Sequence, residues 1–176
     1  MSNQELEKAF KFYKNATYGR IHSVMENNTM NNNNAKKHAK VMTNWFSGPN
    51  VRRGNLKGFL YRGLPMTALL NNKTPKNSKS FSSWTPNIGL AMKFAGGSKG
   101  VILKMNATKV PAYVRYNNAK PAFFNKVGGN TESEILLPPG KIVIGNKRIA
   151  YMKGRGFSGP LNIPYTELNV KNYVLS

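Results

Sequence analysis

The sequence predicts an α+β fold, a helical front followed by a strand-rich back. Three observations predict it. Apolar residues recur at helical spacing over the first fifty positions. From Gly58 onward, runs of strand length alternate with turns rich in Gly, Pro and Asn. A single helical stretch interrupts those runs, with no internal repeat and no alternation of strand and helix, so a parallel doubly wound sheet is not expected. With 176 residues, 40% of them hydrophobic, the chain is long enough for one domain with a substantial core. One domain over 1–176 is expected, its helical part at 1–50 and its strand-rich core at 55–176.

In chain order, Leu6, Ala9, Phe10, Tyr13 and Tyr18 mark an amphipathic helix from Asn3 to about Val24, capped by Ser2 or Asn3. The Asn-rich stretch Asn27 to Asn34 has no apolar period and reads as a loop. A second helix follows from Ala35 to Phe46, presenting Ala39, Met42, Trp45 and Phe46, and Ser47-Gly48-Pro49 ends it. Gly58 to Pro65 is a strand closed by Gly and Pro. Further strands are expected at Ser80–Trp84, Gly100–Met105, Ala112–Arg115, Glu134–Leu137, Lys141–Ile144, Ala150–Met152 and Asn169–Leu175. The interrupting helix is Ile88 to Ala95, with Leu90, Ala91, Phe94 and Ala95 on its apolar face.

Composition narrows the function. There is no cysteine, which removes disulfides, thiolate zinc sites and cysteine nucleophiles. His22 and His38 are the sole imidazoles, so a histidine-based triad or metal cage is not expected, and no metal is assigned. Neither a leader-like apolar core near Met1 to Phe10 nor a run of membrane-spanning length is present, and the expected setting is the cytoplasm, without membrane contact. The 27 basic residues against six acidic ones give a net charge of +21, which attracts polyanions: nucleic acid, an acidic protein, or a complex containing either. The cations are dispersed rather than gathered in one tail, so solubility alone accounts for them equally well.

Against so few acids, the run Thr131-Glu132-Ser133-Glu134-Ile135-Leu136-Leu137-Pro138-Pro139-Gly140 stands out. On a strand, Glu132 and Glu134 share one face, and a carboxylate pair in one space can orient a nucleophile and stabilise a cation. The Glu5/Glu7 pair has the same spacing on a helix, where i and i+2 do not share a face and acids suit a first turn. Arg62, inside Leu60-Tyr61-Arg62-Gly63-Leu64, suits either a snorkelling edge position or bidentate phosphate binding, with Gly63 leaving room for a ligand. In Ser80-Phe81-Ser82-Ser83-Trp84-Thr85-Pro86, period two puts Phe81, Ser83 and Thr85 on one face and Ser82 and Trp84 on the other, so the hydroxyls can meet a carboxylate on a neighbouring strand. A Ser-rich edge strand with turn chemistry at Pro86 is the plainer alternative.

Taken in order, the arginine strand, the aromatic-Ser-Ser-x-Thr strand, the short helix, the turn Gly96 to Gly100 and the Glu-x-Glu-Ile-Leu-Leu-Pro-Pro-Gly run resemble the mono-ADP-ribosyltransferases of the arginine–serine–glutamate class. That group includes clostridial binary-toxin enzymes and the Alt and Mod enzymes of tailed phages. The resemblance spans about Gly58 to Ile144. It implies N-terminal helices followed by two packed, mainly antiparallel sheets around an NAD cleft, with NAD as substrate and arginine as acceptor. By this resemblance Arg62 holds the NAD pyrophosphate, Ser83 braces the catalytic glutamate, Glu134 is the catalytic acid and Glu132 the upstream acid that guides the acceptor. Gly63, Thr85 and Phe94 complete the cofactor-binding set, and Phe123, Phe124, Gly128 and Gly129 form the acceptor-recognition loop. Trp84 departs from the small hydroxyl usual at its place, and is expected to alter an outward contact alone.

Chemistry supports these roles beside the resemblance. Cleaving the nicotinamide–ribose bond builds positive charge on the sugar, which a carboxylate such as Glu134 stabilises as it develops. A protonated guanidinium is a poor nucleophile, and Glu132 is suited to orient it and help remove its proton. The expected partner is a protein with an accessible arginine, in a nucleic-acid machine such as host RNA polymerase or the translation apparatus, modified by a monomeric enzyme. The alternatives are a basic nucleic-acid-binding protein without turnover, and the same fold acting on nucleic acid or on water.

Overall fold

The computed structural model describes residues 3–13, 25, 33–48, 57–65, 69–70, 74–75, 80–110, 114–115 and 135–175. Helix α1 (Asn3–Phe12) and helix α2 (Asn33–Ser47) form the front. Their apolar stripes bury Leu6, Ala9 and Phe10, with Tyr13 just beyond α1, against Ala39, Met42, Trp45 and Phe46. The rings of Phe10 and Trp45 meet edge to face at 5.9 Å, and Phe46 stacks on Phe81 at 5.6 Å. Phe81, which directly precedes a strand, and Leu136, which lies within one, belong to this cluster, so the helices are held against the sheet behind them. Each such ring, fully buried, contributes roughly 1.5–3 kcal/mol. Asn33 and Asn34, expected in a loop, instead open α2. The expected extension of the first helix over 14–24 lies outside the described residues.

Two sheets make up the back. The larger has the order β1 (Phe59–Leu64), β5 (Val101–Asn106), β9 (Gly159–Leu175), β8 (Gly140–Gly156). Its β5–β9 pair is parallel and the other two pairs are antiparallel. The smaller has the order β4 (Ser82–Trp84), β7 (Ile135–Leu137), β6 (Val114–Arg115), all antiparallel. A two-residue ladder joins β2 (Leu69–Leu70) to β3 (Thr74–Pro75). Leu60, Leu64, Leu103 and Leu168 of the large sheet pack on Trp84, Ile135 and Leu137 of the small one. At one corner the sheets are joined through the backbone: Tyr61 N donates to Thr85 O at 2.7 Å, and Thr85 N to Tyr61 O at 2.9 Å.

The C-terminal strands differ from the sequence expectation. The runs Lys141–Ile144 and Ala150–Met152 are one strand, β8, with Gly145-Asn146 absorbed as a bulge where the register shifts between Ile144 and Lys147. Strand β9 begins ten residues before the expected Asn169, through Pro160 and Pro164. Proline lacks a ladder donor and argues against a central strand. It is accommodated because β5 pairs with β9 only from Thr166 to Val170, so both prolines sit where that side of β9 has no partner from β5. Among the described residues, no helix is long and apolar enough to cross a membrane.

Helix α3 (Ile88–Ala95) spans its expected residues. Asn87 caps its start, accepting from Gly89 N at 2.9 Å and Leu90 N at 3.4 Å, and Gly96 ends it at φ 75°. The helix buries Ala91, Met92 and Ala95 on the outer face of the large sheet, beside Ile102 and Tyr165. Gly63 makes this approach possible: a Cβ there would overlap the carbonyl of Ala91. Gly100 is equally confined, by the carbonyls of Ala95 and Leu64. Replacing Gly63 with Ala forces backbone apart from backbone, and Gly63→Ala is expected to lose about 1–3 kcal/mol or more of stability in denaturant unfolding. Wild-type stability in that variant would mean the helix is not seated on the strand this way.

Candidate active site

Arg62 lies on the face of β1 shared with Leu60 and Leu64, the face turned to the small sheet. It is half-buried, and its Nη1 donates to Ser83 O at 3.1 Å. The arginine strand and the serine strand are thus linked twice, by this bond and by the Tyr61–Thr85 backbone pair. Thr85 is buried, and its Oγ1 accepts from Asn87 N at 3.1 Å, which ties the serine strand to the start of α3.

The serine strand in turn holds β7. Ser82, Ser83 and Trp84 pair with Leu137, Leu136 and Ile135, so the residue that follows Glu134 in sequence is fixed opposite Trp84, beside Ser83. Ser83 is half-buried and, by strand alternation, shares a face with Phe81 and with its ladder partner Leu136. Arg62, Ser83 and Thr85 are therefore brought together. Glu132 and Glu134, and the loop residues Phe123, Phe124, Gly128 and Gly129, lie outside the described residues.

Three sequence expectations meet different surroundings. The space beside Gly63, read as room for a ligand, is occupied by the backbone of α3. Phe94, expected on the apolar face of its helix, is 58% exposed, while Met92, on the other flank of the Ala91–Ala95 stripe, takes the buried place. Trp84, expected to alter an outward contact, is 1% exposed and sits between the sheets, where its Nε1 donates to Ser82 Oγ at 2.9 Å. The face opposite Ser83 is thus core, and the large ring fills it.

Sequence reasoning missed Tyr173. This residue of β9 is buried between the sheets; its hydroxyl donates to the buried carbonyl of Pro138 and is hydrogen-bonded by the Ser82 hydroxyl. A buried chain of hydrogen bonds runs from Trp84 through Ser82 and Tyr173 to Pro138, joining the serine strand to the turn after β7. Gly140 permits it, since a Cβ there would overlap the Tyr173 ring. The Pro-Pro-Gly run therefore has a structural purpose the sequence signalled only as a turn. Burial pushes the Tyr173 phenol up to about 12, with the Ser82 bond and the Arg62 charge acting in the opposite direction.

Glu167 has a different role. It is 3% exposed on β9, with Arg148 Nε at 2.9 Å and the Tyr165 hydroxyl donating to it at 3.1 Å. Its ladder partner Ile102 belongs to the cluster beneath α3, so this carboxylate faces away from Arg62. Burial, then the charge of Glu167, raises the Tyr165 phenol to about 12 and also raises that of Tyr61.

No family model and no curated protein matches the sequence. Solved structures do match the fold. Exoenzyme S from Pseudomonas aeruginosa, solved with human 14-3-3 protein beta and carba-NAD, superposes with TM-score 0.58 at 12% identity, over 95% of this chain and 74% of that one. The enzymatic component C2-I of the C2-toxin from Clostridium botulinum gives TM-score 0.63 at 15% identity, over 98% of this chain but 43% of the other. Plx2a, an ADP-ribosyltransferase toxin from Paenibacillus larvae, gives TM-score 0.57 at 13% identity, over 97% and 87% of the two chains. The chain has the fold of ADP-ribosyltransferase toxins, with helices in front and packed sheets behind.

The Tyr173 contacts carry a pH signature. The unfolded phenol ionises near 10 and the folded one near 12, so the folded state holds its proton longer. The stability this confers is complete below about pH 10 and is lost as pH rises toward about 12. Tyr173→Phe is expected to cost about 1–3 kcal/mol at neutral pH, because the Pro138 carbonyl stays buried without its donor, and to flatten the alkaline fall in stability. Urea unfolding across that range checks both; an unchanged alkaline slope would remove Tyr173 from the network.

Proposed function

We propose that the protein transfers ADP-ribose from NAD to arginine side chains of target proteins, releasing nicotinamide, with the helices and both sheets acting as one catalytic domain. The observation that carries this reading is the bond from Arg62 Nη1 to Ser83 O on a strand whose register fixes Ile135, the neighbour of Glu134. Arg62 supplies a half-buried cation on a rigid strand, suited to the diphosphate of NAD. Glu134 stabilises the charge that develops on the ribose as the glycosidic bond to nicotinamide breaks. Glu132 aligns the acceptor guanidinium and takes its proton as the new carbon–nitrogen bond forms. The +21 charge favours a target in a nucleic-acid-bound complex, and host transcription or translation machinery modified by a phage protein is the class this reading names.

Labelled NAD incubated with a bacterial lysate tests it. Wild type is expected to label proteins at arginine, located by mass spectrometry, and Glu134→Gln to abolish labelling. Glu132→Gln is expected to lose protein labelling while still hydrolysing NAD. Arg62→Lys is expected to raise the KM for NAD about 10- to 100-fold, the loss of one or two charge-assisted hydrogen bonds. Equal labelling by wild type and Glu134→Gln refutes the assignment. Label recovered on nucleic acid, or only as free ADP-ribose, moves the acceptor from protein to those alternatives.

A further inference from the structure

We propose that the outer end of the β8–β9 hairpin is a docking strip for single-stranded nucleic acid, a property independent of the transfer reaction. Beyond Thr166 the hairpin has no ladder to β5. One of its faces packs back through Ala150, Met152, Ile163 and Tyr165 onto the cluster beneath α3. The other face carries Lys147, Ile149, Tyr151 and Lys153 at alternate positions, and all four are exposed. Ile149 is 59% and Tyr151 67% exposed, large apolar surface on a sheet face flanked at both ends by lysine.

Charge selects the partner. The strip's own face carries Lys147 and Lys153, while Glu167, the one carboxylate in the sequence of β8 and β9, is turned to the other face and held there by Arg148. A polyanion is attracted along the whole strip. A duplex offers its phosphates but keeps its bases stacked, and an acidic peptide satisfies the lysines alone. An unpaired strand does both, since a base can stack on Tyr151 while its phosphates lie over Lys147 and Lys153.

Register connects the strip to the candidate site. Arg62 pairs with Leu103, Leu103 with Leu168 and Leu168 with Lys147, so the four share one row and one face of the large sheet. Tyr151 lies four residues farther along β8, ~13 Å at strand rise. A strand bound there lies on the face that carries Arg62, not on the face covered by α3.

Fluorescence anisotropy with a short labelled oligothymidylate, in the absence of NAD, tests the proposal on the full chain. Tyr151→Ala is expected to weaken binding about tenfold, within the range for loss of one stacked base, and Tyr151→Phe to preserve it. The Lys147→Ala/Lys153→Ala double variant is expected to lower the slope of log affinity against log salt by about 1.4. A duplex of matching sequence is expected to bind without sensitivity to Tyr151. Circular dichroism confirms that each variant is folded. Wild-type binding by folded Tyr151→Ala overturns the proposal. So does equal competition by polyglutamate of the same charge, which would make the strip an acidic-protein surface. Since no NAD is present, either result stands whether or not the transferase reading holds.

Discussion

The junction between β1 and β4 is the constraint on which the rest depends. Two backbone hydrogen bonds between Tyr61 and Thr85 turn the chain of pairings from one sheet into the other, and Arg62, next along the strand from Tyr61, reaches the Ser83 carbonyl from the same corner. Backbone pairing is short-ranged and directional, so it fixes two side chains far apart in sequence more tightly than apolar packing would. Arg62 and Ser83 are twenty-one positions apart, and neither would be placed by its own strand alone.

Around that corner, the absent side chains of glycines and one buried phenol set the spacing. Gly63 and Gly100 let α3 rest directly on the strands, which closes the outer face of the large sheet. Gly140 lets the Tyr173 ring pass beneath the turn after β7, and the hydroxyl of that ring meets both Ser82 and Pro138. The two effects act on opposite faces. One seats the helix that follows the serine strand, and the other ties the end of β7 to the strand that returns through the core.

Period and turn chemistry made much of this legible. The second helix, β1, α3 and β5 were expected within two residues of where they lie, because their stripes are strong and their ends carry Asn, Gly or Pro. The ordered Arg62, Ser83 and Thr85 were legible as a set, and they do meet. What failed was what depends on tertiary partners. The last strand was expected only from Asn169, and the earlier part of β9, with its two prolines, is a strand because it has no neighbour in β5 to require their donors. Gly145-Asn146 fell between two expected strands and is a bulge within one, a feature that uses the same residues as a turn. Trp84 looked exceptional in its motif, but alternation cannot say which face of a strand is core when both sides carry apolar residues. Tyr173 was illegible because nothing near it in sequence names Pro138 or Ser82.

The large sheet separates two kinds of ionisable chemistry by strand parity. One face carries Arg62 in the row that ends at Lys147; the other carries Glu167, whose ladder partners are Ile102 and Arg148. Glu167 is buried, and its contacts with Arg148 and Tyr165 hold its charge beneath α3. Moving it to the Arg62 face would require a one-residue slip of β9, which would also turn Leu168 and Val170 out of the core between the sheets and bring Asn169 into it. Leu168, Val170 and Tyr173 all depend on the present register for their place in the core, so packing holds the carboxylate on its own side. Charge placement on this scaffold therefore follows from where the apolar residues must go, and Glu167, one of six acids in the chain, is kept as a structural anchor on the face beneath α3.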